Sequence, residues 1–236
     1  MIDFHSHVLP AIDDGSTSIE ESVALLNMLK DQGIKTVVAT PHFDATRDTP
    51  EEFILKRNGS YESLLPELNG LPKIILGAEV AYYPGIERLK GLGLLTAGES
   101  DLLLLEMPIS VWTDYTVKEL VDLTTTKNMT VVLAHSERYI GLQSIKTIEL
   151  LNDSGILMQY NADFFLRFGH KRAALKMLER GEIHLIGSDC HNLTARPPRI
   201  GEAYGLIRKK LGDGFYSFFC GYGYSLLNSK TKIKTS

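Results

Sequence analysis

The chain of 236 residues has only two cysteines, Cys190 and Cys220. Small secreted domains held together by disulfides contain several cysteine pairs, so this class is excluded and a reducing cytoplasm is expected. An excess of basic residues is also missing, because 25 Lys and Arg stand against 29 Asp and Glu. This balance opposes a general nucleic-acid binder, which usually carries a basic patch.

Long apolar runs are absent as well. No run approaches the roughly 18 residues needed to cross a bilayer, so we expect no membrane insertion, although a membrane-bound partner is compatible with the sequence. Residues 2–7 have neither the basic start nor the apolar stretch of a signal peptide. Repeats and low-complexity linkers are missing too, and 44% of the residues are hydrophobic. We therefore predict one domain over residues 1–236.

Short apolar runs alternate with longer amphipathic segments, which favours βαβ units and a parallel sheet. The predicted strands are residues 2–5, 36–40, 73–77, 102–106, 130–134, 157–161 and 184–187. The first helix is predicted to follow a capping box of Ser18 and Glu21 and to end at Gly33. Further helices are predicted at residues 50–68, 115–127, 144–153, 170–180 and 200–211, with residues 82–98 unassigned and residues 228–236 a frayed end.

Residues able to bind metal follow nearly every predicted strand. Parallel strands in a barrel share one carboxyl face, where such folds place their chemistry, so these residues should converge. The candidate metal ligands are His5, His7, Asp14, His42, Glu79, Glu106, His135, Asp189 and His191. They include five of the seven histidines. A buried cluster of this kind would be costly without a metal, whereas a lone His or Glu at a strand end is usually a cap or surface residue.

The chemistry of the set indicates which metals fit. His5 and His7 are two residues apart, so both rings can reach one ion. Imidazoles and carboxylates without an obvious thiolate fit Mn, Fe, Co or Zn better than Mg alone. Nine ligands exceed the need of one ion, so two or three divalent ions are expected, with Mn favoured. His170 and His184 are interpreted as structural.

Several of these motifs resemble the polymerase and histidinol phosphatase (PHP) superfamily. The matching pieces are residues 2–10, 13–15, 40–42, 77–79, 105–106, 134–139, 188–192 and 196–198. Within the superfamily, the chain looks like the bacterial tyrosine-protein phosphatases of capsule and exopolysaccharide loci. Three pieces are specific to that subgroup: Asp13-Asp14-Gly15, the His-x-Glu-Arg-Tyr run that begins at His135, and the His-Asn-x-x-x-Arg-Pro-Pro run that begins at His191.

The resemblance implies a distorted (β/α)7 TIM-like barrel of the PHP type with three metal ions. It implies that Arg138 and Arg196 bind the phosphate of the substrate. The substrate would be phosphotyrosine on the C-terminal tail of a membrane-associated tyrosine autokinase that controls polysaccharide export. We hypothesise that His42 or Asp14 assists the leaving tyrosinate. Only the family match selects Asp14 over Asp13, and residues 220–228 depart from the family pattern, which leaves oligomer contacts open.

Three other interpretations remain at this stage. Cys190 and Arg196 have the Cys-x5-Arg spacing of thiolate-based tyrosine phosphatases, but the intervening residues lack the glycine that such a phosphate loop normally uses. A second alternative keeps the metals and hydrolyses histidinol phosphate or another small phosphomonoester, since fold does not fix function. A third is a binding module that recognises a phosphorylated tail without turnover.

Overall fold

A computed structural model of the chain describes residues 1–229. Its strands, which all pair in parallel within that range, lie at the following positions. They are β1 (Ile2–Ser6), β2 (Thr36–Ala39), β3 (His42–Phe43), β4 (Lys73–Leu76), β5 (Glu79–Ala81), β6 (Leu102–Glu106), β7 (Thr130–Leu133), β8 (Leu157–Asn161) and β9 (Leu185–Gly187). The hydrogen-bonded orders are β1-β2-β4 and β3-β5-β6-β7-β8-β9.

The two sheets together form a curled, distorted barrel with seven strand positions. β3 continues the path of β2 after Pro41, and β5 continues β4, because backbone bonds such as Gly77 N–H to Ala39 O (2.8 Å) bridge the interruptions. The ends meet where Asp189 N–H donates to His5 O at 2.8 Å and His7 N–H donates to Cys190 O at 3.0 Å. The predicted α/β barrel is therefore confirmed, as are its seven strand positions.

Helices cover the outside of the sheet. The α-helices are α1 (Ile19–Asp31), α2 (Pro50–Leu64), α3 (Asp114–Thr126), α4 (Ile145–Asp153), α5 (Ala162–Leu166), α6 (Lys171–Glu179) and α7 (Ile200–Asn228). Short 3₁₀ helices lie at Leu65–Glu67, Ile86–Arg88, Leu92–Leu95 and Ser136–Tyr139. In residues 1–229, no helix is both long and apolar enough to pass through a bilayer.

Alternation along the strands separates two apolar layers. Phe4, Val38, Leu104 and Leu185 belong to a cluster inside the barrel. Their sequence neighbours, such as Leu103 and Leu105, pack against the helices instead, as expected for a strand period of two. The barrel interior is thus closed by apolar side chains, and only its carboxyl face is left for polar residues.

Several predicted details differ from the structure. Ser18 caps α1 as predicted, with its hydroxyl accepting from Glu21 N–H, but the Glu21 carboxylate accepts from Thr17 instead of closing the capping box. His42 and Glu79 lie inside β3 and β5, not just after longer strands. Helix 50–68 ends as a 3₁₀ turn at Pro66, which has no N–H to continue an α-helix.

The C-terminal third contains the largest correction. The predicted helix 200–211 is followed directly by a second helical segment to Asn228, across a break at Gly212 (φ 87°, ψ 166°). The short helix α5 was also not predicted, because five residues carry too little periodicity to reveal it. The predicted frayed end at 228–236 falls on α7 at Asn228 and otherwise lies mostly outside the described residues.

Candidate metal centre

The nine predicted ligands meet at the carboxyl face of the barrel. His5 lies in β1, His42 in β3, Glu79 in β5 and Glu106 at the end of β6. His7 and Asp14 follow β1, His135 follows β7, and Asp189 and His191 follow β9. Each of the five histidines lies within 3.6 Å of a carboxylate oxygen of Glu79 or Asp189. Asp14 contacts His42 and His191, and Glu106 contacts His135.

One group of donor atoms, from His5, His7 and Asp189, lies at the end of β1 next to Glu79. His5 Nε2 and His7 Nε2 are 3.1 Å apart. Both lie near Glu79 Oε2, at 3.0 and 3.2 Å, and both are 3.6 Å from Asp189 Oδ1. Four ligand atoms at bonds of about 2.1 Å from a tetrahedral ion would be about 3.4 Å apart. The observed separations fit such an ion.

A second group shares the Glu79 carboxylate. Glu79 Oε1 is 2.9 Å from His135 Nε2, and that nitrogen is 3.2 Å from Glu106 Oε1. On the other side, Glu79 Oε2 is 3.2 Å from His42 Nδ1. Since the two oxygens of this buried carboxylate face different imidazoles, Glu79 could contribute to holding more than one ion.

The third group is more open to solvent. Asp14 Oδ1 is 3.4 Å from His42 Nε2 and 3.5 Å from His191 Nε2, and the Asp14 side chain is 66% exposed. His191 Nδ1–H donates to the Asp189 carbonyl at 3.0 Å, which leaves Nε2 with its lone pair. That nitrogen is buried without a hydrogen-bond partner in residues 1–229. A buried polar atom usually has a partner, so a ligand role for it fits.

Charge in the cluster is balanced between imidazoles and carboxylates. Burial lowers the pKa of His7, but hydrogen bonds to Asp13 and Glu79 outweigh this and raise that pKa to about 10. For His135, burial is likewise outweighed by Glu106 and Glu79, which raise its pKa to about 9. Burial would raise the pKa of Asp189, yet the charges of His5 and His7 lower it to about 2. Without metal, protons supply the positive charge that the carboxylates require.

Several other residues support the ligands. From the sequence, Asp13 is considered only as an alternative to Asp14, and Asp3, Gln159 and Asn161 are not singled out. Asp13 accepts from His7 Nδ1–H at 2.7 Å and from His42 N–H at 3.0 Å. Asp3, which is fully buried, accepts from Ser188 N–H at 2.7 Å and so joins β1 to the end of β9. Gln159 and Asn161 on β8 contact His5 and Asp189. The available signal was the presence of polar side chains at alternate positions of apolar strands.

Backbone conformation also marks the site. His135 (φ 33°) and Asp189 (φ 52°) adopt the left-handed region, which is costly for residues other than glycine. Such strain costs on the order of 1–3 kcal/mol per residue and clusters at functional sites. Each lies two residues after the end of a strand, β7 or β9, and its side chain belongs to the cluster.

Both predicted phosphate-binding arginines border the cluster. Arg196 Nη2 donates to Asp189 Oδ2 at 2.7 Å, and Arg138 donates to the same oxygen and to Glu106 Oε1, both at 3.3 Å. Their side chains remain 34% and 41% exposed for Arg138 and Arg196, respectively. Each guanidinium has five N–H donors, so donors remain for a ligand at the surface of the cluster.

Cys190 has the properties of a core residue. It is fully buried, and burial raises the pKa of its thiol. A nucleophilic cysteine needs a lowered pKa and access to substrate, so the thiolate interpretation of the Cys-x5-Arg spacing loses its physical basis. Neither cysteine forms a disulfide within the described part of the chain.

A groove of about 800 Å³ opens beside the cluster. Its walls include the cluster residues Asp14, His42 and Glu106, the apolar Phe43, and the basic Arg47 and Lys56. His170 and His184, interpreted as structural, lie outside the cluster: His184 Nδ1 accepts from Met158 N–H at 3.0 Å. The volume of the groove lies in the range typical of ligand sites.

The fold and the cluster together define a class: a PHP-type parallel barrel with a candidate metal site at its carboxyl face. The model of the capsular polysaccharide synthesis family CpsB/CapC matches residues 1–221. The chain belongs to this family.

Individual comparisons agree with this membership. The tyrosine-protein phosphatase CpsB of Streptococcus pneumoniae is 35% identical over 224 residues, which cover 90% of this chain and 91% of that protein. A structure from work on YwqE of Bacillus subtilis and CpsB of Streptococcus pneumoniae, described as metal-dependent tyrosine phosphatases, superposes with a TM-score of 0.83. It has 24% identity and covers 98% of this chain and 96% of that one.

A more distant structure shares the fold alone. The histidinol phosphate phosphatase of Lactococcus lactis superposes with a TM-score of 0.54 at 12% identity, covering 88% of this chain and 92% of that one. This likeness supports the PHP-type barrel and carries no argument about substrate.

Proposed function

We propose that this chain is a metal-dependent protein-tyrosine phosphatase acting in capsular or exopolysaccharide synthesis. The observation that carries the proposal is the donor geometry around Glu79, whose two oxygens lie within 3.2 Å of imidazole nitrogens from His5, His7, His42 and His135. The family membership and the tyrosine-protein phosphatases among its relatives support the same activity. The enzyme is a phosphoric monoester hydrolase.

All nine residues of the cluster are assigned as metal ligands in this proposal. Two or three divalent ions fit the three groups of donor atoms, with Mn favoured over Fe, Co or Zn. Divalent ions held there would offset the charge of a phosphate dianion and lower the pKa of water.

Arg138 and Arg196 are assigned to the phosphate of the substrate. Their free N–H groups border the same carboxylate, Asp189, and can donate to the equatorial phosphate oxygens. Asp14 and His42 line both the cluster and the groove, so we assign one of them to assist the departure of the tyrosinate. That leaving group has a pKa near 10 and needs only limited protonation.

The substrate is a phosphotyrosine-containing protein. The groove beside Asp14 and His42 offers space for the aromatic ring and adjoining peptide. We further propose that the substrate is the C-terminal tail of a membrane-associated tyrosine autokinase and that the enzyme meets it in the cytoplasm. The two free cysteines are consistent with this setting.

The test compares substrates before and after chelation. Protein purified without added ions is analysed for metal, and its kcat/KM is measured on a phosphotyrosine peptide and on histidinol phosphate. We expect activity on the peptide to disappear with chelator, to return with Mn²⁺, and to exceed activity on histidinol phosphate by about a hundredfold. A preference for histidinol phosphate, or activity that survives chelation, contradicts the proposal.

The arginine assignment needs its own variants. Arg138→Ala with Arg196→Ala should lower kcat/KM by about 10²–10³, whereas Arg199→Ala is a matched control, because Arg199 pairs with Glu202 away from the cluster. Binding of phosphopeptide without phosphate release in the presence of Mn²⁺ would instead support a non-enzymatic binding module.

A further inference from the structure

We propose that the side-chain amides of Gln159 and Asn161, two residues apart on β8, position His5 and Asp189 and select which atom of each faces the ions. The proposal rests on the proposed function, because it assumes that the cluster binds metal. Neither amide provides a candidate ligand atom, so both are positioning residues.

The orientation of the Gln159 amide is fixed by a backbone donor. Gln159 is fully buried. One atom of its amide lies 2.8 Å from His135 N and 3.0 Å from His5 Nδ1. Because a backbone N–H can only donate, that atom must be the carbonyl oxygen Oε1. His5 Nδ1 must therefore carry a hydrogen, so His5 Nε2, 3.0 Å from Glu79 Oε2, is the nitrogen that would bind an ion once its own proton is displaced.

The orientation of Asn161 follows from both ends of the chain of contacts. Gln159 Nε2–H donates to Asn161 Oδ1 at 3.0 Å, and Asn161 Nδ2–H donates to Asp189 Oδ2 at 2.8 Å. A carboxylate can only accept, so the second contact requires the same orientation as the first. The backbone donor at His135 and the acceptor at Asp189 thus allow a single arrangement of both amides.

In this arrangement, the two oxygens of the Asp189 carboxylate make different contacts. Oδ2 accepts from Asn161, Arg138 and Arg196. Among residues 1–229, no such donor reaches Oδ1, which faces the imidazoles of His5, His7 and His191, each at 3.6 Å. Hydrogen bonds to one oxygen therefore hold the other in the direction of the ions.

The backbone of β9 packs closely against the side chains of His5 and Gln159. A Cβ atom at Gly187, on the neighbouring β9, would lie 2.4 Å from His5 Cβ and 2.9 Å from Gln159 Nε2. Glycine is required there because the strand passes directly over the amide and the ligand. The side chains of His5 and Gln159 are thus confined to one arrangement by packing as well as by hydrogen bonds.

The test measures metal affinity separately from folding. Mn²⁺ is titrated calorimetrically into chelator-treated wild type, Gln159→Leu, Gln159→Glu and Asn161→Leu, and the thermal midpoint is recorded without metal. Leu removes the amide at similar size, whereas Glu keeps the acceptor for His5 and His135. The matched control is Asn152→Leu, whose Oδ1 is buried without a hydrogen-bond partner in residues 1–229.

We expect Gln159→Leu to weaken Mn²⁺ binding by about 10–100-fold and Asn161→Leu by about tenfold. Gln159→Glu should recover most of the loss, and Asn152→Leu should bind as wild type does. A Gln159→Leu protein with lower thermal midpoint but wild-type affinity overturns the proposal, since the amide would then be merely structural. If Gln159→Leu does not fold, wild-type affinity in Asn161→Leu overturns it.

Failure of the proposed function would look different. Wild type that binds Mn²⁺ without hydrolysing phosphotyrosine contradicts that function, while the affinity comparison among the variants still decides the role of the amides. Wild type that binds no divalent ion overturns both.

Discussion

Asp13 and Asp14 are neighbours in the chain that face different atoms of the cluster. Asp13 is hydrogen-bonded to the ring of His7 and to the backbone of His42, on the side of the ring away from the ions. Asp14 instead directs Oδ1 toward the ring nitrogens of His42 and His191. The geometry thus separates two carboxylates that the sequence left equivalent, and it supports Asp14 as the ligand.

We expect Asp14→Asn and Asp13→Asn to differ in metal content. Asp14→Asn removes a ligand from the exposed group, so it should lower the number of bound ions by about one. Asp13→Asn should keep every ion but weaken binding by about 10–100-fold, because an imidazole loses its carboxylate partner. Elemental analysis and calorimetric titration of both variants distinguish these outcomes. The opposite result, in which Asp13→Asn loses an ion and Asp14→Asn keeps every ion, would make Asp13 the ligand.

Cys190 provides a second prediction at the scale of one residue. Cys190→Ala should retain kcat/KM on a phosphotyrosine peptide within about threefold, because a buried thiol with a raised pKa is not a nucleophile. The cost should appear as stability, on the order of 1 kcal/mol for a small cavity. Arg196→Ala, tested beside it, should lose activity. Loss of activity in Cys190→Ala with unchanged thermal midpoint would revive the thiolate mechanism.

Individual residues of the site show why part of it was predictable from the sequence. His5, Glu79 and Glu106 each terminate an apolar run, so their position alone identified them as candidates. Gln159 and Asp3 lie within apolar strands and not at their ends, and their roles depend on contacts with residues 154 and 185 positions away in the chain. Pairing across a barrel requires coordinates, and amide orientation requires the actual donors.

Among the elements, α7 departs most from its predicted form. Periodicity predicted a helix at 200–211, and the structure continues it to Asn228 across a break at Gly212. The second segment contains three glycines, at 214, 221 and 223, which lowered its helical propensity. Tertiary packing overrides that weakness: Gly223 lies against the ring of Phe4, and Phe219 is buried.

The break gives a matched pair of glycine substitutions. Gly212 has φ +87°, a conformation that other residues adopt at a cost, so Gly212→Ala should destabilise the protein by about 1 kcal/mol. Gly214 is helical, and no atom of the described residues lies within 4 Å of its Cβ position, so Gly214→Ala should stabilise the protein by about 0.5–1 kcal/mol. Denaturant unfolding of both variants checks the signs, with kcat/KM unchanged in each. Stabilisation by Gly212→Ala would mean that α7 is continuous.

At the scale of the whole molecule, the barrel places ionisable side chains from distant parts of the chain next to one another. The alternation of apolar strands and helices could be predicted from the sequence, and so could the common face on which the polar residues lie. The balance of charge among those residues could not, because it depends on burial and on distances between different strands. His7 and His135 show this, since both have pKa values raised by carboxylates from other parts of the chain.

That balance predicts opposite responses to pH with and without metal. A histidine whose pKa is raised on folding stabilises the protein fully below its unfolded value of about 6.5, and the stabilisation is lost as pH rises through the folded value. For His7 and His135 the folded values are about 10 and about 9. The thermal midpoint of chelator-treated protein should therefore fall as pH rises from neutral toward 10.

Metal-loaded protein should not show this decline, because ligand imidazoles are neutral and rising pH favours binding. At neutral pH, Mn²⁺ must displace about two protons, one each from His7 and His135, so the calorimetric enthalpy should vary with the ionisation enthalpy of the buffer. The Glu119→Gln variant serves as a control, because it removes the charge of a buried carboxylate that lies outside the cluster. Binding enthalpies independent of buffer, together with a chelated midpoint that is flat between neutral pH and 10, would mean that His7 and His135 are not protonated in the metal-free cluster.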